Sequence, residues 1–280
     1  MREFNLNDQK EICKMYTEDG NTLSFISQKF HCRTETIKNV LILNNIEIKR
    51  RGSAKNRTLN EHFFETIDSE EKAYFLGLLF ADGNITNDTS RKRNPTIRLQ
   101  LKLSDQKLIE DFRKTINGSG AITYDKREKK EAACFSFRSK IMADDLSKYG
   151  IIPNKTYLTK HLPEIPNEFL KDFLRGLLDG DGSIYQETKS KKFRIDFCSY
   201  HQSICQEFRT LCNTFLDKEN TNTIANYGTA YHIRFNDQNS VKQLATVLYK
   251  GNKVALARKY EMAKLIYEDN SEEDIVYSDC

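Results

Sequence analysis

The 280-residue chain has no tryptophan and only four prolines. So little proline argues against a linker-rich or collagen-like chain. No apolar run approaches the roughly 20 residues of a membrane span, so a transmembrane protein is not expected. The first thirty residues lack an apolar core segment, and no secretory signal is expected either. Seven cysteines form no CxxC pair and their number is odd. A disulfide framework or structural zinc site is therefore not expected, and a reducing cytoplasm is the natural compartment. The five histidines show no metal-ligand spacing, and no Walker loop or nucleophile elbow occurs.

Charge is plentiful: 30% of residues are charged, for a net charge of +4. That modest sum hides an asymmetry. Residues 261–280 hold one basic residue, Lys264, and seven acids, so the first 260 residues carry 43 basic against 33 acidic side chains. An acidic tail on a basic body points to a polyanionic partner such as nucleic acid, although a solvated charged surface has the same composition.

Residues 6–46 read as three short helices, near Asp8–Glu18, Leu23–Phe30 and Glu35–Asn44. Asp19-Gly20-Asn21 stops the first, and Thr22 and Thr34 are placed to cap the other two. The pattern resembles the resolvase and invertase type of helix-turn-helix, which implies that the third helix enters a DNA major groove. Residues 47–60 then hold a run of basic residues with Gly and Ser and no apolar periodicity. They read as a tether able to follow phosphates.

From residue 61 the chain repeats itself. Tyr74–Ile85 recurs as Phe173–Ile184, 99 residues on, and each copy is followed by a strand, an alternating strand, a helix, a hairpin and a closing helix. A repeat of about 100 residues present twice predicts a pseudo-two-fold molecule. Gly77 and Ala81, like Gly176 and Gly180, are four apart, which makes a flat stripe on each helix. Two such stripes let helix backbones pack closely. Each segment ends in Asp-Gly, at Asp82-Gly83 and Asp181-Gly182. A carboxylate at a helix C-terminus opposes the dipole and is a poor choice for stability. Helices paired by their stripes would bring Asp82 and Asp181 together, where they repel unless protonated or bridged by cations. Oxygen ligands of this kind suit Mg²⁺ (or Mn²⁺).

Phe75–Gly83 and Leu174–Gly182 resemble the two signature motifs of LAGLIDADG homing endonucleases. The resemblance implies an α+β fold of two pseudo-symmetric αββαββα repeats forming a saddle over DNA. The repeats are expected at 61–160 and 161–265, behind a helix-turn-helix module at 1–46 and ahead of an acidic tail at 266–280. It further implies that Asp82 and Asp181, eighth in each motif, bind the catalytic metals. Asp179, two residues earlier and about 200° away around a helix, is expected to point elsewhere. A basic residue near each scissile phosphate is also implied, giving Lys155 in the first half and Lys259 in the second. No glutamine stands at the ends of the second strands (Lys102-Leu103-Ser104 and Cys198-Ser199-Tyr200), which leaves the family's water-organising role unassigned.

The strand Thr96–Leu103 alternates strictly, with Arg98, Gln100 and Lys102 opposite Ile97, Leu99 and Leu101. One face must bury; the other offers groups that suit base edges, since Arg pairs with guanine and Gln with adenine. Ser136 and Arg138, Arg194 and Asp196, and His232 and Arg234 alternate in the same way. Basic tips at Arg91, Lys92 and Arg93, and at Lys189, Lys191 and Lys192, suit phosphates. The resulting expectation is a monomeric, metal-dependent endonuclease cutting both strands of a long pseudo-palindromic DNA site. Its rival is a non-cleaving transcription regulator or an RNA-splicing maturase on the same scaffold.

Overall fold

The computed structural model describes residues 4–48, 58–87, 93–125, 131–252 and 254–268. The basic segment 49–57, the tip residues Arg91 and Lys92, the tip 126–130 and the tail 269–280 lie outside the described residues.

Three helices open the chain: α1 (Leu6–Thr17), α2 (Leu23–Lys29) and α3 (Thr34–Leu43). Asn5 caps α1 by accepting from Asp8 N, and Thr22 caps α2 by accepting from Phe25 N at 3.2 Å. Thr34 does not cap α3. It is the first helical residue, and Arg33 occupies the cap position without a side-chain bond. Ile12, Met15, Ile26, Ile37 and Leu41 form a core of their own for this unit.

The remainder runs α4 (Glu70–Asp82), β1 (Gly83–Thr86), β2 (Thr96–Lys102), α5 (Gln106–Thr115), β3 (Thr123–Asp125), β4 (Ala132–Arg138) and α6 (Lys140–Lys148). A short α7 (Lys155–Leu158) leads to the second series. That series is α8 (Leu170–Asp181), β5 (Gly182–Gln186), β6 (Phe193–Ser199), α9 (Gln202–Asn213), β7 (Ala225–Tyr227), β8 (Ala230–Phe235), α10 (Gln238–Tyr249) and α11 (Ala257–Glu268). Each series builds one antiparallel sheet, ordered β1-β2-β4-β3 and β5-β6-β8-β7. Strand β2 is one residue shorter than its alternation predicts. Leu103 leaves the ladder to start a turn through Ser104 and buried Asp105, residues that favour turns over strands.

The alternation decides which sheet face is covered. Ile97, Leu99, Phe135 and Phe137 point inward, where the Phe112 ring of α5 meets Phe135 and Phe137. In the second half Phe197 stacks on Phe208 of α9 at 4.0 Å between ring centroids. Burying each such ring contributes about 1.5–3 kcal/mol.

Helices α4 and α8 form the axis. A Cβ on Gly77 would stand 2.2 Å from the Phe173 carbonyl oxygen, and one on Gly176 would stand 2.1 Å from that of Tyr74. No side chain fits there, so only glycine permits the crossing. This is the return on placing glycine inside a helix, which costs about 1 kcal/mol relative to alanine. Leu76, Leu79, Leu174 and Leu178 fill the volume around the stripe.

Candidate active site

Asp82 is the last residue of α4 and Asp181 the last of α8. Because the helices pack along the stripes, their C-termini lie side by side: a Cβ on Gly180 would lie 3.3 Å from Asp82 Oδ2. Two clefts flank the pair. One, of about 460 Å³, is lined by Asp181, Lys155, Tyr157, Cys198 and Tyr200. The other, of about 480 Å³, is lined by Asp82, Gln100, Lys102, Asp105 and Arg258.

A lysine compensates each helix end. Lys155 Nζ donates to the Ala81 carbonyl at 2.6 Å. Lys259 Nζ donates to the carbonyls of Leu178, Asp179 and Gly182, each at 2.6 Å, and is only 2% exposed. Cations at the last carbonyls of a helix offset the dipole that the acids oppose. Lys259, expected beside a phosphate, is thus placed as a buried cap of α8.

Burial pushes the Asp181 carboxyl up to about 6, and the negative charge of Asp82 adds to this against the pull of Lys155 and Lys259. Asp181 keeps solvent contact, yet it sits in a concave site whose walls exclude much of the surrounding water. Burial likewise raises Asp82, opposed by Lys155, Lys259 and Arg258. It lowers Lys155, and it lowers Lys259 to about 8. Two crowded carboxylates that resist ionising together are a donor set a hard divalent cation would relieve. Among the described residues no group of three or more His, Cys, Asp or Glu side chains stands together as a metal cluster.

Asp179 does point away. Buried at 2% exposure, its carboxylate accepts from Tyr74 Oη, Tyr249 Oη and Leu256 N, each at 2.7 Å. The strand register places one further residue beside each acid. Gly83 pairs with Leu99, which puts Gln100 alongside Asp82; Gly182 pairs with Phe197, which puts Cys198 alongside Asp181. Gln100, read in the sequence only as a base contact, therefore also lines the Asp82 cleft. The signal was two residues inside the strand end, and only the register shows it. Cys198 Sγ donates to the Asp181 carbonyl at 3.1 Å.

On the first sheet Arg98, Gln100, Lys102, Ser136 and Arg138 are exposed on one face. Arg98 Nε donates to Cys134 Sγ at 3.0 Å, and another guanidinium N–H donates to Gln100 Oε1. Arg138 Nε donates to Thr96 Oγ1 at 3.1 Å. The second sheet differs. Asp196 pairs across the strands with Arg234 and is 8% exposed. Its carboxylate accepts from Arg234 Nε at 3.0 Å and Nη2 at 2.8 Å, and lies 3.0 Å from His232 Nδ1. Asp196, expected to contact bases, thus has its carboxylate engaged by Arg234 and His232. Arg194 is tied to the Phe193 and Asn236 carbonyls and to Glu187. Arg93, Lys189, Lys191 and Lys192 are exposed.

Residues 168–248 match the family profile described as a LAGLIDADG-like domain. No curated protein matches the chain. Solved structures that resemble it include the meganuclease I-SmaMI bound to uncleaveable DNA, with 14% identity and a TM-score of 0.49, covering 71% of this chain and 91% of that one. LAGLIDADG homing endonuclease I-GzeII in complex with its DNA target gives 14% and 0.43, over 73% and 92%. Full-length DUF199/WhiA from Thermatoga maritima gives 15% and 0.47, over 78% and 66%. At these identities the likeness concerns chain path alone. No described helix is long and apolar enough to cross a membrane.

Proposed function

We propose that the protein is a site-specific DNA endonuclease that hydrolyses one phosphodiester bond in each strand of a long, pseudo-palindromic duplex, acting as a monomer with Mg²⁺ or Mn²⁺. The observation that carries this reading is the meeting of Asp82 and Asp181 at the ends of two helices that glycine alone allows to touch. Their two carboxylates would hold the divalent cation, which when bound supplies charge stabilisation at the phosphate.

The chain's own groups divide the remaining work. Water attacks phosphorus in line while the bond to the leaving ester oxygen breaks. Lys155 spends one of its three N–H donors on Ala81 and faces the Asp181 cleft with the others, where they can meet a phosphate oxygen. Gln100 lines the opposite cleft; its Oε1 accepts from Arg98, and its amide NH₂ supplies donors for orienting water. Arg98, Lys102 and Arg138 on one sheet, and Arg234 and His232 on the other, present groups to base edges. Lys189, Lys191, Lys192 and Arg93, together with Arg91 and Lys92, would neutralise phosphates and set affinity. The N-terminal helices add a second DNA contact in this reading.

The test starts with duplexes recovered by binding selection from a randomised library, then cloned into plasmid. In Mg²⁺, wild-type protein should linearise the selected plasmid, while Asp82→Asn and Asp181→Asn bind but do not linearise it. Normal cleavage by either variant would remove the acids from the chemistry. Wild-type binding without cleavage would favour the regulator or maturase reading instead.

A further inference from the structure

The two clefts flanking the acids are matched in position but not in cations. Lys155 and Lys259 each reach carbonyls near the end of one of the paired helices, yet their donors are spent differently. An ammonium has three N–H donors. Lys155 commits one, to the Ala81 carbonyl, and lines the cleft that contains Asp181. Lys259 commits all three, to Leu178, Asp179 and Gly182, and is buried. It has nothing left for a ligand. Freeing it would take the ammonium from all three carbonyls, and only that of Leu178 would keep another donor, the Gly182 amide.

The residue before it is placed otherwise. Arg258, in the first turn of α11, lines the cleft that contains Asp82, Gln100 and Lys102. Its side chain is 52% exposed. One guanidinium nitrogen, Nε, faces Asp105 Oδ2 at 3.4 Å, and Asp105 is itself 7% exposed on the turn that ends β2. A buried carboxylate on the Nε side leaves the two terminal nitrogens, with four N–H groups, directed away from that contact. This is the fork that matches two phosphate oxygens. Arg258 also acts on Asp82 as a neighbouring positive charge, after Lys155 and Lys259. The residue before Lys155 is Asn154, which carries no charge.

We propose that Arg258, and not Lys259, is the cation that contacts the phosphate beside Asp82. The two halves then fill one role with different residues, Lys155 beside Asp181 and Arg258 beside Asp82. Asp105 is the positioning residue that holds the guanidinium, and Lys259 maintains the end of α8. The inference deepens the endonuclease reading and rests on it for the word cleavage, but the phosphate contact can be measured without any cutting.

The test uses the full chain and the selected duplex, with wild type, Arg258→Ala, Arg258→Lys, Asp105→Asn and Lys259→Met. Binding is titrated against salt in Ca²⁺, and strand-specific nicking is followed on supercoiled plasmid in Mg²⁺. Arg258→Ala should make the slope of log affinity against log salt shallower by about one, as loss of a single phosphate contact requires. It should slow one strand at least about 100-fold, the scale for removing one stabilising donor, so that nicked circles accumulate. Arg258→Lys should keep the salt slope and recover only part of the rate, because a point charge replaces a fork. Asp105→Asn should keep the slope and lower the rate of that same strand. Lys259→Met should lower the melting temperature. An Arg258→Ala protein with unchanged slope and equal strand rates overturns the proposal, as does a normally melting Lys259→Met that loses the phosphate contact itself. Wild type that binds with the predicted slope difference but never cuts would keep the contact and sink the endonuclease reading alone.

Discussion

Tyr74 of α4 donates its hydroxyl to Asp179 of α8 at 2.7 Å, with both side chains buried. The bond crosses the axis between the two repeats. The same carboxylate accepts from Tyr249 at the end of α10 and from the Leu256 amide ahead of α11. Arg175, one turn earlier, pairs with Asp172 at 2.7 Å and donates to the Leu248 and Val254 carbonyls. Its guanidinium carbon also lies 5.0 Å from the centre of the Tyr74 ring. A helix pair closed only by glycine and leucine could slide along its stripe. These bonds fix its register and hence the relative height of Asp82 and Asp181.

Asp179→Ala is therefore expected to be severely destabilising. Three buried donors would lose their acceptor at once, a loss of about 3–5 kcal/mol by analogy with breaking a buried ion pair. At about 2–4 °C per kcal/mol for a unit of this size, the melting temperature should fall by roughly 10 °C. Tyr74→Phe should cost about 1–2 kcal/mol. A double-mutant cycle in thermal or urea unfolding should return a coupling of about 0.5 kcal/mol or more. Additive effects would mean that the bond contributes nothing specific.

Gly176 tests the stripe itself. Even one methyl group there would stand 2.1 Å from the Tyr74 carbonyl oxygen and 2.8 Å from the Leu78 nitrogen, both of them backbone. Neither can move without separating the helices. Gly176→Ala should thus lower the melting temperature by several degrees, although alanine is the better helix former by about 1 kcal/mol. Gly176→Leu should give little folded protein. An alanine variant as stable as wild type would show that α4 and α8 do not touch here.

The raised carboxyl of Asp181 makes stability depend on pH with a definite sign. Its folded pKa, about 6, lies above the ordinary value of 3.8, so the folded state holds the extra proton between those values. Stability from this group is present below that window and is lost as pH rises through about 6. Asp82 is raised and acts in the same direction. Without divalent cations, Asp181→Asn should melt higher than wild type at pH 7 and match it at pH 4. The solvent that still reaches Asp181 limits the gain to about 1 kcal/mol, or about 2–4 °C. Adding Mg²⁺ at pH 7 should narrow the gap, because only wild type keeps both carboxylates. A variant less stable than wild type at pH 7 in the absence of metal would reverse the assignment.

Much of the fold was legible because its periodicities are strong. The glycine stripes and the 99-residue repeat predict the helix pair, and the alternation in Thr96–Lys102 predicts its buried face residue by residue. The acids were legible for the same reason, since both sit at the end of a repeated pattern. What the sequence did not reveal depends on partners distant along the chain. Lys259 reads as a cation near a scissile phosphate until its three carbonyls, about 80 residues earlier, are seen around it. Asp196 reads as a base contact until cross-strand pairing brings Arg234 and His232 to it. Gln100 joins the Asp82 cleft only through the β1–β2 register. Composition and spacing describe a residue's own element; donor commitments are made between elements.

The last prediction concerns the N-terminal helices. Their core, built on Ile12, Ile26, Ile37 and Leu41, is separate from the large core, which begins at Leu59. A chain starting at Thr58 should therefore fold with Asp82 and Asp181 in place. Residues 1–60 carry eleven basic against seven acidic side chains, and a second DNA-contacting unit on a tether raises affinity through effective concentration. The shortened protein should bind the selected duplex more weakly, with a shallower dependence of log affinity on log salt, because fewer counterions are released. If the full chain cuts, the shortened one should cut at the same position. Cleavage mapping and salt-titrated binding on both proteins check this. Equal affinity and equal salt slope would show that the three helices do not touch DNA. A folded but inactive truncation, set against an active full chain, would show that they help to shape the site.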